Sequence, residues 1–147
     1  MKMQEELEAQ QEIKEKILKV FNENDAITIA TTGGEHSPWI AGAYFATDDL
    51  TIYLLLETHG KSFANIKKNN KIAVCISKND AMKDFLQASG EAAVLSESEE
   101  PEVRELIVKK MPWFKTYTPV TPVRLDIKKF YVSSLESSWF PAKELEV

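Results

Sequence analysis

A chain of 147 residues with 44% hydrophobic and 28% charged side chains fits a single domain, 1–147, with a core that needs neither disulfides nor metal as a staple. A formal charge of -5 argues against a general nucleic-acid binder, which carries an excess of Lys and Arg for phosphate contacts. No apolar run approaches the roughly 18 residues of a membrane span, the charged opening MKMQEELEAQQEIKEK lacks the apolar centre of a secretory signal, and the single Cys75 leaves no internal disulfide, so a soluble, cytoplasmic protein is expected.

From about 4 to 23, Leu7, Ile13, Ile17, Val20 and Phe21 recur at helical spacing among Glu and Lys, which predicts an amphipathic helix lying over a sheet. AITIAT (26–31) follows as a β-branched strand. TTGGEHSP reads as a turn, with Gly33 and Gly34 free to take positive φ and Pro38 restarting an extended segment. WIAGAYFA and LTIYLLL, joined by Thr47, Asp48 and Asp49, predict an antiparallel hairpin.

Residues 62–69 read as a short helix before KIAVCIS, a nearly continuous apolar run expected to be a buried strand with Cys75 in the core. FLQASGEAAVLS (85–96) predicts a long strand with Gly90 as a bulge or bend. A further helix is expected from Glu99 to Lys110, with Ser98 a candidate N-cap, Pro101 in its first turn and Lys109 and Lys110 at its end. Pro112, Pro119 and Pro122 mark an irregular crossing, after which VRLDI and KFYVS supply closing strands. Six or more strands in hairpin-like succession with two or three helices predict a mainly β, α+β fold built on an antiparallel barrel.

Several chemistries find no support. His36 and His59, the only histidines, do not stand with Cys75 at a zinc-ligand spacing, so no metal site is expected. There is no GxSxG elbow, GxGxxG or Walker loop. The acidic pairs Asp48-Asp49 and Glu99-Glu100 are explained by solvation at a turn and a helix start. Trp113, Trp139 and Phe140 suit a core, a dimer seam or a stacking surface.

The stretch LLLETHGKSFANIKKNNKIAVCI (54–76) gathers Lys61, Lys67, Lys68 and Lys71 with Glu57 as its only acid. A helix start after a strand offers unpaired N–H groups and partial positive charge, to which Lys61, Ser62 and Thr58 would add a cation and two hydroxyls. The same spacing is equally that of a serine N-cap followed by solvated lysines. Spacing alone leaves both readings open.

Taken in order, ITIATTGGEHSPWIAGAYF, LTIYLLLETHGKSFANIKKNNKIAV and FLQASGEAAVL resemble the FMN-binding split β-barrel of the pyridoxamine 5'-phosphate oxidase-like proteins. The element that carries the likeness is the succession of strand, glycine turn, proline-led strand, acidic hairpin, strand, [KR]-[ST]-x-x-N-[IVL] helix, strand and glycine-bearing strand. The tail KMPWFKTYTPVTPVRLDIKKFYVSS resembles a small branch of that family that brings no tested activity with it. The resemblance implies a six-stranded split barrel, a homodimer, and FMN in a groove at the subunit interface. Position by position it implies that Lys61 and Ser62 hold the FMN phosphate, with Asn65 on the interior of that helix. Leu56, Glu57 and Thr58 would run beside ribityl and phosphate, and Gly42, Ala43 and Tyr44 would border the isoalloxazine ring. Gln87 is implied as a contact from the partner subunit, and Trp139 or Phe140 as a cover for the flavin.

An FMN-binding oxidoreductase acting on a small molecule, with neither nucleic acid nor membrane as partner, is the expectation that follows. Alternatives on the same barrel are a noncatalytic flavin carrier, a haem-binding protein using His59 or His36, and a dimeric domain without cofactor. Two departures bear on it. Glu57 sets a carboxylate near the phosphate end, where it repels the anion unless it turns to solvent or pairs with Lys61. Arg104 and Arg124 are the only arginines, too few for a second phosphorylated ligand, so pyridoxamine phosphate oxidase activity itself is not expected.

Overall fold

The computed structural model describes residues 2–147. Helix α1 (Lys2–Glu23) precedes strands β1 (Ala26–Thr31), β2 (Trp39–Asp48) and β3 (Thr51–Glu57), helix α2 (Lys61–Lys68), and strands β4 (Lys71–Ile76) and β5 (Phe85–Val94). A 3-10 turn (Glu97–Glu99), helix α3 (Glu100–Lys110), β6 (Val120–Ser134) and β7 (Trp139–Glu146) complete the chain. The strands pair antiparallel in the order β3-β2-β1-β4-β5-β6-β7, and the first half of β6 returns to β3. Six strands therefore close into a barrel, which removes their edges. Only β7 lies outside the ring, on the second half of β6. This is the expected six-stranded split barrel, an α+β fold with three flanking helices.

Alternation of side chains explains how the barrel fills. Ile27 and Ile29 of β1, Ile72, Val74 and Ile76 of β4, and Leu86 and Ala88 of β5 all point inward, as a period of two requires. Phe21 of α1 meets Phe45 and Phe130 edge to face, with ring centroids 6.1 Å apart in both pairs. Ile13, Ile17 and Val20 join it in the core, each worth about 1.5–3 kcal/mol of burial. Leu7, expected on that same apolar face, is 59% exposed. Every residue from Lys2 to Glu12 is exposed, so the buried stripe of α1 begins at Ile13.

Other local expectations need correction for physical reasons. Cys75 is only half-buried, because β4 alternates instead of burying both faces. The β2–β3 turn is Asp49-Leu50, with Asp49 at φ 52°; Thr47 and Asp48 remain in β2, paired with Ile52 and Thr51. Ser96, not Ser98, caps the helical region, in a reciprocal box with Glu99. VRLDI and KFYVS are halves of one 15-residue strand, and β7 was not anticipated. Lys110, at the end of α3, donates to the carbonyls of Phe21, Asn24 and Phe45 at 3.0, 2.6 and 3.4 Å. It thereby ties α3 to the end of α1, and burial pushes its ammonium down to about 8.

Trp139 is core, 8% exposed, with the Lys16 ammonium 5.7 Å from its ring. Lys16 also pairs with Asp84 at 3.3 Å, both side chains 13% exposed. Burial pushes the Asp84 carboxyl up, but hydrogen bonds from Ser134 and Lys16 and the charges of Lys16 and Lys19 outweigh it and hold it below its ordinary value. A lowered carboxyl favours the folded state at every pH above its unfolded value of about 3.9. That contribution disappears as pH falls through the folded value. Asp84→Asn is expected to cost an amount between the ~1 kcal/mol of an exposed pair and the ~3–5 kcal/mol of a buried one at pH 7. Urea unfolding at pH 7 and at pH 3 should show the gap between variant and wild type closing in acid.

Candidate functional site

β2 and β3 leave their hairpin paired from Asp48–Thr51 to Phe45–Leu54 and then part. β2 runs on from Tyr44 to Trp39 with only β1 beside it, while Leu55, Leu56 and Glu57 of β3 keep β6 as their neighbour. The split leaves one backbone edge of 39–44 without a strand partner, so its N–H and C=O groups are free to take a ligand. A groove of about 540 Å³ occupies it, within the roughly 300–1,000 Å³ of small-molecule sites. From Trp39 to Tyr44 the edge spans about 17 Å at strand rise, which suits an elongated ligand. Beside Gly42 the space is open, with no atom within 4 Å of where a Cβ would stand.

One end of the groove is the start of α2. Its N-cap is Gly60, at φ -84° and ψ 164°, and no side chain caps the helix. Ser62 is therefore not the cap. It lies in the first turn, 7% exposed, and its Oγ is buried without a hydrogen-bond partner. Lys61 is exposed, its Nζ 5.2 Å from the Trp39 ring centroid. Unpaired N–H groups, an orphaned hydroxyl and a cation thus converge where a helix start favours an anion. Lys67, Lys68 and Lys71 lie outside the groove as an exposed face, Lys67 resting over the Phe63 ring at 5.0 Å.

The other end is aromatic. Tyr44 meets Trp113 and Phe114 edge to face at 5.0 and 6.0 Å. Between the two ends the segment from Phe114 to Thr118 forms a lateral wall. Glu57 is exposed, and its Oε1 accepts a hydrogen bond from Thr118 Oγ1 at 3.2 Å. Among the described residues it makes no ion pair with Lys61.

Of the residues implied by the sequence, Lys61, Ser62, Leu56, Glu57, Gly42, Ala43 and Tyr44 line this one groove. Thr58 is adjacent, its hydroxyl 2.8 Å from that of Thr121. Asn65 is fully buried behind the site and donates to Thr31 Oγ1 and the His36 carbonyl at 3.0 and 3.1 Å. It fastens α2 to the glycine turn. There Gly33 has the positive φ expected, 93°, whereas Gly34 does not share it. Gly34 is needed for closeness instead, since a Cβ would stand 1.8 Å from Asn65 Oδ1. Gln87, exposed on β5, and Trp139 and Phe140 on β7 do not line the groove of their own chain. His59 does. Sequence reasoning missed Trp39 and the 114–118 wall, whose one signal is the density of aromatics and lysine in PWFKTYTP. Among the described residues no three His, Cys, Asp or Glu side chains gather as a metal site, and no helix is long and apolar enough to cross a membrane.

The sequence profile of the family described as Pyridoxamine 5'-phosphate oxidase matches residues 13–130. No curated protein sequence matches the chain. Among solved structures, a candidate pyridoxamine 5'-phosphate oxidase of Listeria innocua superimposes with a TM-score of 0.67 at 20% identity, over 82% of this chain and 97% of that one. ChuZ of Campylobacter jejuni gives 0.76 at 15% identity, over 92% of this chain and 60% of its own. HutZ, the heme storage protein of Vibrio cholerae, gives 0.64 at 14% identity, over 76% and 87%. At these identities the likeness is one of fold.

Proposed function

Because the chain belongs to the pyridoxamine 5'-phosphate oxidase family, we propose that its groove binds FMN and that the protein is a flavin-dependent oxidoreductase assembled as a homodimer. The observation that carries this reading is Ser62: a buried hydroxyl without a partner among the described residues, at an uncapped helix start, beside an exposed lysine. An unsatisfied buried polar group costs about 1–3 kcal/mol, and a phosphate oxygen would remove that cost. Lys61 supplies charge, the first turn of α2 supplies N–H donors, and the free edge of β2 with the gap at Gly42 receives a flat ring against backbone. When bound, FMN supplies the electron-transfer chemistry, and the chain orients and shields it.

A dimer is supported by Ile40 at 66% exposure and Tyr44 at 44% on a strand beside the groove. Apolar residues flanking an open site are suited to a second copy, whose Gln87 would then reach the ring. The groove's cations are Lys61 and Lys115, and neither arginine lines it, so the reading stops short of pyridoxamine phosphate as substrate. The substrate class it supports is a small planar or electron-accepting molecule.

A second reading, haem binding, is favoured by two observations: His59 lines the groove and is exposed, and a structural neighbour is a heme storage protein. The visible spectrum of purified protein separates the two. Flavin bands released on denaturation, with light scattering at twice 16.7 kDa, are expected. A Soret band lost in His59→Ala would favour haem, and colourless protein that takes up no added FMN would overturn the proposal.

A further inference from the structure

The connection between α3 and β6 is fastened at several points, to the end of β3 and to α3 itself. Thr118 Oγ1 donates to Glu57 Oε1 at 3.2 Å. Thr116 Oγ1 accepts from Arg104 Nη2 at 3.1 Å, while Arg104 Nε is held by Glu100 Oε1 at 2.7 Å. The Thr58 N–H donates to the Pro119 carbonyl at 3.0 Å, and the Phe114 N–H to that of Met111 at 2.9 Å. Between these points Lys115 and Tyr117 line the groove and are exposed, Tyr117 at 90%.

We propose that Glu57 and Arg104 are positioning residues that strap the 114–118 segment along the groove as its ligand-facing wall, Glu57 acting as a hydrogen-bond acceptor rather than as a charge. Glu57 departs from what an anion site wants, and this gives it a reason to be there. Its carboxylate ties the wall to the last residue of β3 by a side chain, next to the backbone tie from Thr58 to Pro119. A charged carboxylate so near the α2 start weakens an anion's hold, and the strap is what that loss maintains. Arg104 works from the far side, never touching the groove, and sets the same wall through Thr116. The wall in turn fixes the width available to a ring lying on Gly42 and Ala43. This inference deepens the FMN reading but rests on it only for a second readout.

Amide hydrogen exchange on the ligand-free protein tests the strap directly, with the Thr58 and Phe114 amides as reporters. Glu57→Leu and Arg104→Met should each raise exchange there roughly tenfold, the effect of losing one charge-assisted hydrogen bond. Glu57→Gln keeps an acceptor for Thr118 and should leave exchange at the wild-type rate. Far-UV circular dichroism identifies any variant that fails to fold, and Glu57→Gln, Arg104→Lys and Thr118→Val then decide the question. Unchanged exchange in Glu57→Leu, or equal loss in Glu57→Gln, overturns the proposal. The second readout is iodide quenching of added FMN: Glu57→Leu should expose bound flavin and Glu57→Gln should bind it more tightly than wild type. Wild-type protein that binds no FMN defeats the flavin reading, and the exchange rates still decide the strap.

Discussion

Replacing Lys61 and Ser62 together by alanine is expected to weaken FMN binding about 10²- to 10³-fold while the barrel stays folded. Hydrogen bonds to a charged group are worth about 1.5–3 kcal/mol each, and the exposed Lys61 belongs at the lower end because solvent screens it. Two such contacts give about 3–4 kcal/mol, which is the stated range. Stability should move the other way. The Ser62 hydroxyl is buried without a partner in the ligand-free chain, so Ser62→Ala alone is expected to raise unfolding free energy by about 1 kcal/mol. A serine kept for core packing would lose stability instead. A chemical denaturation curve without ligand and a fluorescence titration with FMN, run on the same variant, separate these outcomes.

Gly90→Ala should be among the most damaging single substitutions in the molecule, at about 3 kcal/mol or more. The register between β5 and β6 shifts between Ser89 and Gly90. A Cβ at Gly90 would stand 2.2 Å from the Asp126 carbonyl oxygen and 2.8 Å from the Ile127 Cα. Both obstacles are backbone, which cannot rotate aside as a side chain would. β6 is also the strand that closes the barrel onto β3 and carries β7, so a displacement there spreads across three strand pairs. A lowered thermal midpoint, or insoluble expression, is the expected result. A midpoint within about 2 °C of wild type, the span of ~0.5 kcal/mol, would show that the bulge is looser than its geometry.

What the sequence made legible is what short-range pattern controls. AITIAT is β1 to the residue, the glycine inside FLQASGEAAVLS predicts a strand with a bulge or bend, of which the structure has the bulge, and the apolar spacing of Ile13, Ile17, Val20 and Phe21 predicts the buried stripe of α1. Seven of the residues carried over from the family line one groove because they belong to a β2–β3–α2 passage continuous in the chain. What failed depends on contacts distant in sequence. WFPAKELE holds a proline and alternating charges and reads as a tail, yet it pairs with β6 because that strand overshoots the barrel. Cys75 sits in an apolar run whose second face the fold happens to leave half open. Ser62 as cap or ligand was undecidable from spacing, since both need the same serine near a helix start. Gly60 as the actual N-cap decides against the cap. The 114–118 wall and its tie to Glu57 are 61 residues apart in sequence, beyond any local signal.

The phosphate anchor is tested most directly by isothermal titration of the purified apoprotein with FMN and with riboflavin, which differ only in the phosphate. Wild-type protein should bind FMN at least about 100-fold more tightly, and the Lys61→Ala Ser62→Ala variant should bind the two with nearly equal affinity. Equal affinity for both ligands in wild-type protein, or a preference that survives in the variant, would contradict the assignment of the α2 start as the phosphate site.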